Sequence, residues 1–442
     1  MTRVKVRGIG VVVAVALVST GQIAAQVRQK VVVISLDAFA AESLRDSHIP
    51  APTLRQLMKT GSYAIAMRPI NPTVTWPNHT AMVTGVNASR HHIIANGLIV
   101  NARTDTAPKI EPHTPKDKLV AVPTVYDAAH KAGLVTAEVD WVAIEKADGI
   151  TWRLTEYADP SGPIEHDLIE QGLVTADDLA HFGKPSQAWR DRIYTEAAVD
   201  IIKKHHPDLM LLHLLALDGI EHKTGYGNDS GKNTIAFLDD RVKDVIEAVR
   251  DAGDLERTAF IIVSDHGQQS VHHQIHCDVL LKEARIDPAN PAFCIAEGGF
   301  APVFQKHATA ESTAALKAVF VGKPGVRAVL TPAEAAKEGW PTPAQTDQGP
   351  DLLIYAANGY AFSGGKTDAA VTETLESGAH GYPNTEPLMQ AIFIASGAGI
   401  ANKGEIPEFD NVDVAPTIAR LLNIPLPDIS GKALAQVLSS PK

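Results

Sequence analysis

Lys30-Val-Val-Val-Ile-Ser-Leu-Asp37 is a run of β-branched and apolar residues closed by a carboxylate. Val31 to Ile34 are apolar without interruption, so no alternation marks a wet face. Such a run reads as a strand buried on both sides, the kind that parallel sheets contain. The chain beyond it repeats the theme. Pro52 to Thr60 reads as a helix, with proline at its start and Gly61 after its end. Pro123 to Lys131 is helical, Gly133 stops it, and Leu134 to Val139 is a strand. Tyr194 to His205 is a helix with an apolar stripe, broken by Pro207, and Leu209 to Leu217 is a strand reaching Asp218. Thr234 to Asp251 is an amphipathic helix, and Ala259 to Ser264 a strand ending at Asp265. Helix and strand alternating at this spacing predict an α/β fold, a mostly parallel sheet flanked by helices.

Residues 268–378 depart from that rhythm. Ile286 to Phe293 is rich in proline and alanine, Thr342 to Pro350 is polar and turn-prone, and Asp351 to Tyr355 is strand-like. This stretch reads as an inserted cap region. The core then comprises residues 26–267 and 379–442, the latter with a strand at Ala391 to Ala395 and a helix at Asp413 to Leu422. Residues 1–25 read as a signal peptide. Arg3, Lys5 and Arg7 precede an apolar run from Ile9 to Val18, and Ile23-Ala24-Ala25 offers a cleavage site. The expected location is periplasmic or extracellular, with no transmembrane span once the leader is removed. Cys277 and Cys294 could pair or stay separate thiols; spacing leaves both open. The net charge of −11 with no basic cluster argues against a nucleic-acid polymer as partner. It leaves room for a small anionic substrate where bound cations supply local positive charge. Nothing in the sequence fixes the oligomeric state.

Asp37, Asp218 and Asp265 each follow an expected strand, and sites of open α/β sheets lie outside the carboxyl ends of strands. Each alone is equally a cap or turn residue. Asp218 and His222 are four apart, so one helical turn puts both on one face. Asp265 and His266 are adjacent, and His380 lies far downstream in His380-Gly-Tyr382. Three aspartates and three histidines suit two divalent ions, zinc first, with manganese or iron tolerated. Thr75, in Thr73-Val-Thr75-Trp-Pro-Asn-His79, sits where Pro77 opens a helix. There it is either an ordinary capping threonine or a nucleophile placed where the helix end favours an anion. Asn78 is a candidate donor to a phosphoryl oxygen. His79 and Glu221 read as structural. His272, His273 and His276 read as rim or cap residues, with a third metal site as the alternative.

Asp37, Thr75-Trp-Pro-Asn-His79, Asp218-Gly-Ile-Glu-His222, Asp265-His-Gly267 and His380-Gly-Tyr382 resemble, in this order, the motif set of the nucleotide pyrophosphatase/phosphodiesterase family of the alkaline phosphatase superfamily. The resemblance spans about residues 30–425. It implies an alkaline phosphatase-like fold and a phosphodiesterase that works through a phosphothreonine. It assigns Asp218, His222 and His380 to one zinc, and Asp37, Asp265 and His266 to the other, with Thr75 bound to the latter. Asn78 and a backbone N–H near Thr75 would grip the phosphoryl group. Many members carry a base-stacking tyrosine where His213 stands here, so His213 is a candidate substrate residue. Trp76, where phenylalanine is common, is a second large ring that could stack on a base. The expected substrate is a small phosphate ester, nucleotide or lipid-like. Two rivals stand. A phosphomonoesterase or phosphonate hydrolase on the same metals resembles enzymes with a Lys/Arg pair near Asp140-Trp141; neither cation is there, though Lys146 is close. A non-catalytic binding protein of the same fold would have lost ligands that this chain keeps.

Overall fold

A computed structural model describes residue 2 and residues 28–439, so nearly all of the expected leader lies outside the described residues. The central sheet has eight strands: β1 (Lys30–Leu36), β2 (Ser62–Ala64), β3 (Thr136–Val139), β4 (Trp152–Leu154), β5 (Leu209–Leu214), β6 (Thr258–Val263), β7 (Phe393–Gly397) and β8 (Gly404–Ile406). Their order is β8-β2-β7-β6-β1-β5-β3-β4. From β6 to β4 all neighbours are parallel, and β7 runs antiparallel to both β6 and β2.

All seven residues of β1 are buried, because the sheet is covered on both faces. The strand's two-residue period divides them. Val32, Ile34 and Leu36 enter one core with helices α1 (Pro52–Thr60), α4 (Gln187–His205) and α6 (Asp229–Asp251). Val31 and Val33 enter the opposite core with α3 (Val125–Lys131) and α7 (Val414–Leu422). The two remaining helices that matter here are α2 (Thr75–Thr84) and α5 (Ala216–Thr224).

One expected strand is shorter than its apolar run. β5 stops at Leu214, and Ala216 and Leu217 already belong to α5. An apolar run alone does not separate strand from helix. The break is made by Asp191 of α4, whose carboxylate accepts the backbone N–H groups of Leu215 (2.8 Å) and Ala216 (2.7 Å). Asp218 therefore sits in the first turn of a helix and not directly at a strand end.

Between β6 and β7 the chain leaves the sheet. It builds a three-stranded layer from Gln269–Ile275, Tyr360–Phe362 and Val371–Ala379, and a four-stranded antiparallel layer that includes Phe300–Gln305 and Leu352–Ala356. A separate hydrophobic cluster fills this part, and Cys277 and Cys294 are joined in a disulfide within it. Among the described residues, no helix is long and apolar enough to cross a membrane.

Candidate active site

Strands β6, β1 and β5 end nearly level, since Ser35 of β1 is in register with both His213 and Val263. Asp37, Asp218, Asp265 and His266 come off these three ends. His266 Nε2 lies 3.5 Å from Asp37 Oδ1 and 3.2 Å from Asp265 Oδ2. Asp218 Oδ1 lies 3.1 Å from His222 Nε2 and 3.8 Å from His380 Nε2. The rings of His266 and His380 stack at 3.9 Å. Two triads of potential metal ligands result, Asp37/Asp265/His266 and Asp218/His266/His380, with His266 common to both. Thr75 Oγ1 is 3.4 Å from His266 Nε2, in the first residue of α2.

The donors fit divalent cations, and the bare atoms make the case. Asp265 Oδ1 is tied to backbone by the N–H groups of His266 (3.0 Å) and Ala38 (3.3 Å), while its Oδ2 is buried without a hydrogen bond. Asp37 Oδ1 and Asp218 Oδ1 are likewise buried and unpartnered. Each histidine turns Nδ1 to a backbone carbonyl: His222 to Gly378 (2.9 Å), His380 to Thr73 (3.0 Å), His266 to Gly267 (3.1 Å). That leaves the three Nε2 atoms facing the carboxylates, the arrangement outer contacts impose on metal-bound imidazole. Burial, reinforced by Asp265 and Asp218, pushes the Asp37 carboxyl well above its usual range. Burial and the neighbouring His266 press His380 down to about 3, so its ring is neutral. Against the effect of burial, Asp218 draws the His222 imidazole up to about 9, so the aspartates and histidines of this pocket perturb one another in both directions.

Backbone closeness holds the distant pieces together. Thr73 carbonyl oxygen accepts from Gly381 N–H (3.0 Å) as well as from His380, and Thr73 Oγ1 donates to Tyr382 carbonyl (2.7 Å). Gly381 has φ +91° with its α-carbon against the Glu297 carbonyl, and Gly267 packs on the Leu388 carbonyl; a Cβ at either would collide.

Three expected substrate contacts lie elsewhere. Asn78 is fully buried, and its amide donates to the carbonyls of Pro72 (2.8 Å) and Val74 (2.9 Å). Its Oδ1 accepts from Ile70 N–H and Asn411 Nδ2. With these bonds made, Asn78 holds the approach to α2 and has no donor left for a phosphoryl oxygen. Trp76 is 6% exposed and packed with Ile93, Leu119 and Val142, so it offers no open stacking face. His213 is fully buried under the site, with Nε2 3.1 Å from Asp37 Oδ2 and Nδ1 3.1 Å from Asp140 carbonyl. Asp140 and Trp141 are buried as well, and Lys146 is exposed. Glu221 accepts from Gly227 N–H, and His79 bonds the Thr75 carbonyl. His273 stacks on Tyr360 while His276 bonds Thr372; with His272 they form no ligand cluster.

Asn96 lies outside every motif of the sequence yet stands at the cluster's edge. Asn96 Oδ1 accepts the backbone N–H of Trp76 at 3.0 Å, which places its side chain beside the first turn of α2, next to Thr75. Its amide makes no hydrogen bond among the described residues, so two N–H donors remain there for a ligand. The only hint in the sequence is an Asn-Gly pair after the apolar Ile93-Ile94-Ala95, which reads as a turn.

A family model described as type I phosphodiesterase / nucleotide pyrophosphatase matches residues 31–383. The venom phosphodiesterase of Naja atra is 23% identical over 407 residues, covering 89% of this chain and 44% of its own length. The chain therefore spans less than half of that relative. Human ectonucleotide pyrophosphatase/phosphodiesterase family member 7 is 24% identical, with 93% of this chain and 83% of that protein covered. Among solved structures, murine ectonucleotide pyrophosphatase/phosphodiesterase 5 is similar in fold, with a TM-score of 0.72 at 20% identity, over 93% of this chain and 100% of that one. An inactive threonine-to-alanine variant of that murine protein is known in complex with AMP.

Proposed function

The chain belongs to the type I phosphodiesterase / nucleotide pyrophosphatase family, and from that premise we propose that it is an exported hydrolase of phosphoric diesters and pyrophosphates with Thr75 as its nucleophile. The observation that carries this reading is the position of Thr75 Oγ1, at the amino end of α2 and 3.4 Å from His266 in the Asp/His cluster. Asp218, His222 and His380 would hold one divalent ion, and Asp37, Asp265 and His266 a second, zinc being the best match to the donors. Such a pair, when bound, supplies positive charge to the attacking and departing oxygens.

The protein's own parts then have defined tasks. Thr75 Oγ1 attacks phosphorus in line with the departing ester oxygen, giving a phosphothreonine and releasing the alcohol. The amino end of α2 and the Asn96 amide would serve as donors to the phosphoryl oxygens, where charge develops. Water then attacks the same phosphorus in line and restores Thr75; two inversions give net retention. The family and the AMP complex of the murine neighbour support a nucleotide-type ester as first probe. Export is supported by the basic, apolar and small residues of positions 3–25 and by a disulfide, which oxidising compartments favour.

The test is Thr75→Ala against an aryl nucleotide diester. The variant should keep its ions and its melting temperature while kcat falls by about three or more powers of ten. Chelation should abolish wild-type hydrolysis, and zinc should restore it. Near wild-type turnover in Thr75→Ala, or full activity without divalent ions, refutes the mechanism.

A further inference from the structure

His213 stands on β5, deep beneath the cluster, and both of its ring nitrogens face oxygen. Nε2 lies 3.1 Å from Asp37 Oδ2; Nδ1 lies 3.1 Å from the Asp140 carbonyl and 3.5 Å from the Asp140 carboxylate. Its other close neighbour is the His79 ring at 4.2 Å. The side chain is fully buried, so it touches no open surface from which a substrate could be reached.

The consequence for Asp37 is specific. Nδ1 donates to the Asp140 carbonyl, so the contact between Nε2 and Asp37 Oδ2 carries one proton shared by that pair, and this occupies one carboxylate oxygen, Oδ2. The other, Oδ1, is buried, has no hydrogen bond, and faces His266 at 3.5 Å. At Asp265 the same division is achieved by backbone N–H groups. Among the described residues Asp37 has no such backbone donor, and His213 stands in that place. The ring is in turn fixed by a carbonyl in unusual backbone. Asp140 has φ +56°, in the left-handed region that non-glycine residues seldom occupy, and its N–H is held by Leu154. Strain of this kind persists where surrounding contacts enforce it.

We propose that His213 is a positioning residue for the metal centre: held by the Asp140 carbonyl, it orients Asp37 so that Oδ1 alone is presented to an ion, and it takes no part in holding the substrate. This rests on the two-ion reading above. Outer contacts to metal-bound carboxylates are worth about 10–100-fold in affinity. Loss of the ring's hydrogen bond should therefore loosen the ion on the Asp37 side and leave the Asp218 side unaffected.

The experiment is zinc retention across a series of buffered free-zinc concentrations, measured on the full chain as wild type, His213→Phe and His213→Gln. Phenylalanine keeps the volume of the ring and removes both hydrogen bonds; glutamine keeps an N–H donor at nearly the same reach. Wild type should hold two ions. His213→Phe should hold one of them about 10–100-fold more weakly, and His213→Gln should recover most of that loss. KM for a diester should change little in either. If His213→Phe does not fold, His213→Asn, too short to span both partners, replaces it with the same expected loss. Two ions held with wild-type affinity in the folded Phe or Asn variant overturns the proposal. A wild type that holds no zinc overturns the two-ion reading instead, so the two failures are distinct.

Discussion

Asn78 and Asn96 differ in what their amides can still do. The Asn78 amide is spent on the Pro72 and Val74 carbonyls, and the Asn96 amide stands beside Thr75 with its donors uncommitted. Asn96→Ala should thus lower kcat/KM for a diester by about 10²–10³-fold, the usual effect of losing one donor to a developing oxyanion, at a stability cost limited to the single Trp76 N–H it leaves bare, about 0.5–2 kcal/mol. Asn78→Ala should do the reverse. It strips buried Ile70 N–H and Asn411 of partners, at about 1–3 kcal/mol for each group left unsatisfied. Steady-state kinetics beside urea denaturation separates the two. The sequence could not make this distinction, because Asn78 sits inside a motif and Asn96 outside one. Which asparagine stands free beside Thr75 depends on a loop folding back against the first turn of α2, a contact no local pattern encodes. His213 was opaque for a related reason: all six residues of β5 are buried, so no alternation reveals which side a given ring takes.

Helix α5 carries two of the six proposed ligands, Asp218 and His222, and has no capping side chain of its own. Asp191 of α4 supplies the cap from another part of the chain, one oxygen to each of two N–H groups. Asp191→Asn keeps the shape but sets an NH2 group against one of those N–H donors. The expected cost is about 1–3 kcal/mol in unfolding free energy, together with weaker zinc retention as the ligand turn loosens. Chemical denaturation and metal analysis on the same preparation check both. A variant with unchanged stability and a full zinc complement would show that the cap is dispensable. The elements themselves were largely legible. Continuous apolar runs announced β1 and β6, and periodicity announced the helix from Thr234 onward, which the structure begins at Asp229. The end of β5 was not, since Ala216 and Leu217 continue its apolar run and only Asp191, from a different helix, decides where the strand stops.

Across the whole molecule, residues between β6 and β7 form layers with their own apolar cluster, and a disulfide joins positions 17 apart within it. Closing a loop of that length is worth about 3 kcal/mol in the chain-entropy account. The double variant Cys277→Ser/Cys294→Ser should melt at lower temperature yet still hold its ions, since no ligand lies within the bridged loop. Calorimetry with and without reductant tests this; equal melting curves would mean the bridge adds nothing. Parallel architecture was readable from the alternation of elements, whereas the pairing of the cysteines needed the fold. The contact between Thr73 and His380 spans 307 residues of chain, and it fixes the last proposed ligand against the loop leading to Thr75. A chain emerging from its amino end therefore carries an incomplete set of donors through most of its synthesis. The proposed site at Asp218 and His222 is complete only when His380 has docked, whereas Asp37, Asp265 and His266 are all present earlier in the chain. A molecule that has lost its fold must rebuild that junction before the proposed Asp218 site is whole again.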